Sequence, residues 1–292
     1  MPIEFEVVNM TTHRPASAQN LLVQLLAGSA FLAMFAGQAS AEDTELSQQE
    51  FQISLGTFTN ESDITIRADG QGGDGTEFNW GDTIGDVDGT TIRLDSYWRI
   101  NDRHHIRFMY TENSNERHKT LDRDIEWNGN TYHIDTPLES KFGFYVVEVA
   151  YEYDFSKRED RELVLSAGLH YTSFSAKLTG TFDTPNGGGT RTGTSEASVG
   201  APLPVIGARG MWNLGGNWWL DAQVQFFAVT FGDVDGRITN YRGAFIWQPK
   251  KWIGLGAGYD SFGIDVDVDS KRMSGSLDWT YSGPQVFFNF AF

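Results

Sequence analysis

The stretch Phe144-Tyr145-Val146-Val147-Glu148-Val149-Ala150-Tyr151-Glu152-Tyr153-Asp154-Phe155 decides the fold. Read with a period of two, Tyr145, Val147, Val149, Tyr151, Tyr153 and Phe155 share one face. Val146, Glu148, Ala150, Glu152 and Asp154 share the other. Successive side chains of a strand point to opposite faces, so this is a strand with a greasy side and a carboxylate side. A helix would scatter the carboxylates around its circumference. What remains is which side faces in.

The same alternation recurs up and down the chain. Phe51, Ile53 and Leu55 alternate with Gln52, Ser54 and Gly56. Ile92, Leu94, Trp98 and Ile100 oppose Arg93, Asp95, Tyr97 and Arg99, and Ile106, Phe108 and Tyr110 oppose Arg107, Met109 and Thr111. Leu163 to Tyr171, Ile206 to Trp212, Leu220 to Phe226, Tyr241 to Trp247, Ile253 to Tyr259 and Val286 to Phe292 complete the set. The pattern predicts an all-β chain of about ten strands, with eight or twelve as the alternatives. Short turns are expected near 102, 159, 215 and 250. Longer polar connections are expected over 59–89, 114–141 and 178–203, with Gly232–Gly236 turning between two strands. Asp63–Asp69 can extend the first strand, and Trp127-Asn128-Gly129-Asn130 reads as a small hairpin inside the second connection.

The N-terminus carries a targeting signal. From Leu21 to Ala36 the chain is apolar apart from Gln24, Gly28 and Ser29, and Ala39-Ser40-Ala41 follows, ahead of Glu42 and Asp43. An apolar run closed by a small-x-small site reads as a secretory signal peptide over residues 1–41. Met10, followed by Thr11-Thr12-His13-Arg14, offers a better n-region than one holding Glu4 and Glu6, and is the alternative start. Residues 42–50 then read as a polar periplasmic lead-in and 51–292 as the barrel. No long charge-free apolar run lies beyond the leader, so a helical membrane protein is excluded. The formal charge of −17 leaves no basic patch to neutralise phosphates and argues against nucleic acid as a partner. With no cysteine, neither disulfides nor thiolate metal sites are available.

Four features turn the greasy face outward, toward lipid. The leader exports the chain. Turns are short at one end and long at the other, as in outer-membrane barrels. Trp98, Tyr153, Phe155, Trp212, Trp218 and Trp247 gather near the short-turn end, as an interfacial girdle would. The chain also stops on an alternating run, Val286, Phe288, Phe290 and Phe292. That ending resembles the C-terminal strand of bacterial outer-membrane β-barrels, where a terminal aromatic is what the barrel-assembly machinery recognises. The organisation of 51–292 is similar to small outer-membrane barrels of the OmpA/OmpW-like class. The resemblance implies a closed antiparallel transmembrane β-barrel in the cell outer membrane, in contact with lipid and lipopolysaccharide, with both ends periplasmic and mobile acidic loops outside.

An Arg or Lys at the lipid midplane costs about 2–4 kcal/mol. Arg93, Asp95, Arg99, Arg107, Glu148, Glu152, Asp154, Arg209, Asp221, Arg242 and Asp260 are therefore expected in the lumen. Their near balance of charge reads as a salt-bridged plug or, with inward Gly254, Gly256 and Gly258 leaving space, as a narrow polar path. About eight strands already give an interior that side chains fill. The leading function is thus a structural or narrow-permeability barrel, with loop-mediated adhesion and lipid modification as rivals. For catalysis, His170 and Thr172 share a face, which resembles the His-x-Ser of lipid A deacylases; Ser173, however, points outward, so no catalytic residue is assigned. His170 is expected to bond a lumen carboxylate. Gly-Asp-Val-Asp-Gly occurs twice, offering Asp86, Asp88, Asp233 and Asp235 as weak Ca²⁺ ligands, but Asp-Gly pairs are ordinary turn residues. No cofactor is expected, and oligomeric state is not legible.

Overall fold

The computed structural model describes residues 46, 49–69, 75–156, 158, 160–185, 188–231, 234–269 and 274–292. The signal peptide expected over 1–41 lies outside the described residues. In chain order the elements are β1 (Phe51–Ala68), β2 (Phe78–Asn79), α1 (Trp80–Thr83), β3 (Gly89–Arg99), β4 (His104–Thr120), β5 (Ile125–Trp127), β6 (Asn130–Tyr132) and β7 (Pro137–Asp154). They continue with β8 (Arg161–Asp183), β9 (Thr190–Gly215), β10 (Trp218–Phe231), β11 (Val234–Lys250), β12 (Ile253–Asp269) and β13 (Ser274–Ala291).

Ten of these strands close a ring. β1, β3, β4, β7, β8, β9, β10, β11, β12 and β13 pair antiparallel in that order. The seam is β13 on β1, from Gln52↔Ala291 to Ala68↔Gly275. Closure gives every wall strand two neighbours, so no row of backbone N–H and C=O is left for lipid, which cannot satisfy it. At one end the connections are tight. Gly216 and Asn217, at φ 60° and 68°, fit the type I′ geometry that joins Gly215 to Trp218. We call this the periplasmic end and the other the outer end.

Outside the ring a belt of bare apolar side chains circles the wall. It includes Leu55, Ile92, Val149, Leu165, Leu169, Ile206, Val224, Phe226, Phe245, Leu255, Val286 and Phe288, all exposed. Below it stand Trp98, Phe155, Trp218, Trp247 and Trp252; above it stand Tyr145, Tyr171, Tyr241 and Tyr259, again all exposed. Tyr145 to Tyr153 spans eight residues, which at about 3.3 Å each and a tilt of about 40° makes a band of about 20 Å. That height and its two aromatic rims match a bilayer.

Beyond the upper rim the expected long loops are largely absent. β8 and β9 stay paired from Arg161↔Trp212 to Asp183↔Thr190, straight through residues 178–203. β1 likewise runs on to Ala68, and β4 and β7 pair up to Thr120↔Pro137. Polarity inverts there. On β7, Leu138, Phe142 and Phe144 are buried inside, while Glu139 and Lys141 face out. Water rather than lipid surrounds this part of the wall, so ordinary alternation returns and the Thr- and Ser-rich outer face is strand. The Gly232–Gly236 turn is also shorter than expected, because Val234–Gly236 already belong to β11.

Candidate functional site

The lumen is the candidate site, and its lower half is ionic. Arg93, Arg99, Arg107, Glu148, Glu152, Asp154, Arg209, Asp221, Arg242 and Asp260 are all buried, and Asp95 is nearly so. Arg93 grips Asp95 through two bonds, Nε to Oδ2 at 2.8 Å and Nη2 to Oδ1 at 3.2 Å, and donates Nη1 to Asp260 at 2.8 Å. Asn240 completes Asp260 at 3.2 Å. Arg107 bonds Glu148 and lies 3.1 Å from Glu152, and Gln225 donates to Glu148 at 2.6 Å. Arg242 donates to Asp221 at 2.8 Å. Arg209 hangs between Glu162, Asp221 and Glu152 at 3.6, 3.7 and 3.8 Å, its guanidinium 4.5 Å from the Tyr97 ring centroid. Asp154 serves the nearby turn, accepting from Ser156 N at 3.0 Å.

Two members escape a reading of the sequence. Glu162 accepts from Arg99 Nη2 at 2.6 Å and from the Tyr97 hydroxyl at 2.5 Å. His105 completes the set, its Nε2 2.7 Å from Arg99 Nη1 and its Nδ1 2.5 Å from the Tyr97 oxygen. Because guanidinium only donates, Nε2 is the acceptor and the ring proton sits on Nδ1, pointing at Tyr97. Both residues continue the inward register, His105 with Arg107 and Glu162 with Val164. The alternation reaches them, but they precede Ile106 and Leu163, the first residues it assigns to strands after the turns near 102 and 159.

The space beside the inward glycines of β12 is occupied by their neighbours. A Cβ on Gly256 would lie 2.2 Å from the Phe287 ring, and one on Gly254 2.2 Å from Gln248 Oε1. These glycines admit neighbouring side chains and do not open a path. Among the described residues, a cavity of about 40 Å³ lies inside the ionic layer between Tyr97, Arg107, Arg209, Asp221, Gln223 and Arg242, and one of about 10 Å³ lies beside Arg93 and Asp95. The larger holds a few waters, not a solute. Lower still, Leu46 of the lead-in is buried with Met211, Trp219, Ile246, Phe287 and Ala291, so this residue enters the barrel base where a polar lead-in was expected.

Above the ions the lumen turns aromatic. Trp279 lies 4.4 Å from Phe144, 4.7 Å from Tyr281 and 5.0 Å from Phe174 between ring centroids. The connections after β1 and β4 fold into the mouth and add Phe78, Trp80, Trp127 and Tyr132. Asn79 caps α1 by accepting from Asp82 N at 3.0 Å. Asn128 and Gly129, at φ 49° and 77°, make the hairpin that the Asn-Gly pair predicts. His170 sits at this boundary. It bonds Thr172 at 3.0 Å and stacks on Phe262, so its hydrogen-bond partner is a hydroxyl and not the expected carboxylate.

The hairpin is tied to the rim by His133. Its Nδ1 is 3.2 Å from Asp124 and its Nε2 3.0 Å from Asp183. Two carboxylates at two ring nitrogens call for the imidazolium, and the bonds to Asp183 and then Asp124 raise the His133 pKa. Asp183 is held low by Thr190 and His133, and Asp124 by the Ile134 amide and His133. The stabilisation from the charged histidine is complete below about 6.5 and is lost as pH rises through its raised pKa; that from each aspartate fades as pH falls through its lowered one. Exchange protection of residues 125–132, corrected for intrinsic rates, should therefore be slightly greater at mildly acidic than at alkaline pH. In His133→Gln that difference should vanish. Equal slopes in the two proteins would count against the clamp.

Of the weak metal candidates, Asp88 accepts from Ser62 N at 2.8 Å, and Asp233 lies outside the described residues. Asp235 lines an outer-wall groove of about 230 Å³ with Arg237, Asp265 and Asp267. Val286 and Phe288 face lipid, while Phe292 exchanges backbone bonds with Phe51 at 2.8 and 3.0 Å across the seam.

No protein-family model and no curated protein matches the chain. Among solved structures it is similar to the outer membrane protease OmpT from Escherichia coli, at 10% identity, covering 87% of this chain and 100% of that one, with a TM-score of 0.52. The translocator domain of the autotransporter NalP from Neisseria meningitidis overlays at 10% identity, 94% and 100% coverage and a TM-score of 0.45. Ail, the attachment invasion locus protein of Yersinia pestis, does so at 11%, 83% and 99%, and 0.36; these two overlays are too loose to argue from. The OmpT likeness shows the fold, an outer-membrane β-barrel. With the apolar belt, that places the chain in the cell outer membrane.

Proposed function

We propose that the protein is a closed, non-conducting barrel, a structural element of the outer membrane whose polar wall above the lipid is its surface for contact. One observation carries this: among the described residues the lumen is occupied by paired ions below and packed aromatics above. A ten-stranded ring is only slightly wider than one whose interior side chains already fill. The narrow-path alternative would need a continuous aqueous gap, and about 40 Å³ is far short of one. Lipopolysaccharide is the natural neighbour of the outer wall. The terminal strand, paired on both sides once the ring has closed, fits a signal read by the assembly machinery before closure.

Reconstituted in planar bilayers, the protein should give no conductance steps. Discrete, reproducible openings would overturn the closed-barrel reading in favour of permeation.

A further inference from the structure

We propose that Arg103, His104, Tyr151 and Tyr153 form a binding site for the phosphate of a phospholipid headgroup in the periplasmic leaflet. The site lies on the outside of the barrel and is independent of whether the lumen conducts. Its position follows from register. His105 points inward, so His104 points out, and it stands directly opposite Tyr153, with Ile106 opposite Tyr151 on the same strand pair. Tyr151 and Tyr153 belong to the lower aromatic rim, at the depth where headgroups begin.

The side chains form a shallow box. His104 Nδ1 is 2.5 Å from the Tyr151 oxygen, and its ring lies 5.8 and 5.5 Å from the Tyr151 and Tyr153 centroids. A phenol is a better donor than acceptor here, so Tyr151 donates to Nδ1 and the ring proton lies on Nε2. Among the described residues Nε2 has no protein partner. Arg103, in the tight turn, donates Nη1 to the Tyr153 oxygen at 3.2 Å, which aims the guanidinium along the wall and leaves its other donors open. Among the described residues no carboxylate lies within ion-pair distance of Arg103. A guanidinium and an imidazole N–H, both held by phenols at headgroup depth, suit the tetrahedral oxygens of a phosphate. The outer wall contrasts with this, being dominated by carboxylates such as Glu112, Glu116, Glu139, Asp265, Asp267 and Asp278.

The test is native mass spectrometry of the detergent-solubilised full chain titrated with phosphatidylglycerol. The double variant Arg103→Gln, His104→Gln should bind the lipid about tenfold more weakly, the loss of roughly one charge-assisted hydrogen bond. Lys250→Gln removes a charge at similar depth without touching the box and should bind like the parent. Heat-modifiable migration on gels checks that each variant is a closed barrel. Millimolar inorganic phosphate should not displace the lipid; displacement would assign the box to free phosphate. Equal binding by the double variant, or an equal loss in Lys250→Gln, would overturn the proposal, the latter by reducing it to general charge attraction.

Discussion

Arg107→Leu is expected to destabilise the folded barrel by about 3–5 kcal/mol, because it leaves carboxylates buried without their cation. Arg107 bonds Glu148 and lies 3.1 Å from Glu152, and both acids are 1–2% exposed. Leucine replaces the stem of the side chain but none of its donors. Gln225 still donates to Glu148, and Arg209 stands 3.8 Å from Glu152, too far for a bond. The charged hydrogen bond that is lost is nevertheless the one to Glu148, which keeps only the neutral Gln225 donor, because Arg107 Nε makes no hydrogen bond to Glu152. Adding Glu148→Gln removes the orphaned charge and keeps an acceptor for Gln225, so the double variant should recover much of the loss. Urea unfolding in lipid vesicles, followed by the heat-modifiable band, measures both. A single variant within about 1 kcal/mol of the parent, or a double variant no better than the single, would mean that solvent reaches this layer. The closed-lumen reading would fall with it.

Why the lower lumen could be read from sequence and the upper could not is a matter of what surrounds the wall. In the bilayer the outside is the apolar phase, so Glu148, Glu152 and Asp154 alternating with Tyr, Val and Phe identify both the strand and its inward face. Lipid leaves ions nowhere else to go. Above the bilayer the wall has water outside, and Leu138, Phe142 and Phe144 turn inward against Glu139 and Lys141. That is ordinary strand alternation, but residues 178–203 are so rich in Gly, Ser and Thr that composition reads as loop. Thr179–Thr194 and Thr181–Thr192 instead form cross-strand hydroxyl pairs at 2.8 and 2.9 Å. Nothing local marks Trp80 or Trp127 as plug residues. Their burial depends on the mouth being narrow enough for two connections to fill, which is a property of the closed ring.

Trp279→Ala tests the aromatic layer, and its expected cost is also about 3–5 kcal/mol, the range for emptying a large buried aromatic site. Trp279 is fully buried and packs on Phe144, Phe174, Phe262 and Tyr281, so a void there has aromatic walls on several sides. Rings fixed on four different barrel strands cannot slide inward to close it, because the wall spacing is set by backbone pairing. Among the described residues the indole Nε1 has no hydrogen-bond partner, so no polar contact is lost with the ring. Trp279→Phe should therefore cost much less, on the order of 1 kcal/mol, because it keeps one ring and gives up only area. A Phe variant as damaged as the Ala variant would show that the indole is held by something other than packing. Conductance separates the two layers. If the ionic layer below seals independently, Trp279→Ala should lose stability and stay electrically silent; openings in that variant would place the seal in the aromatics.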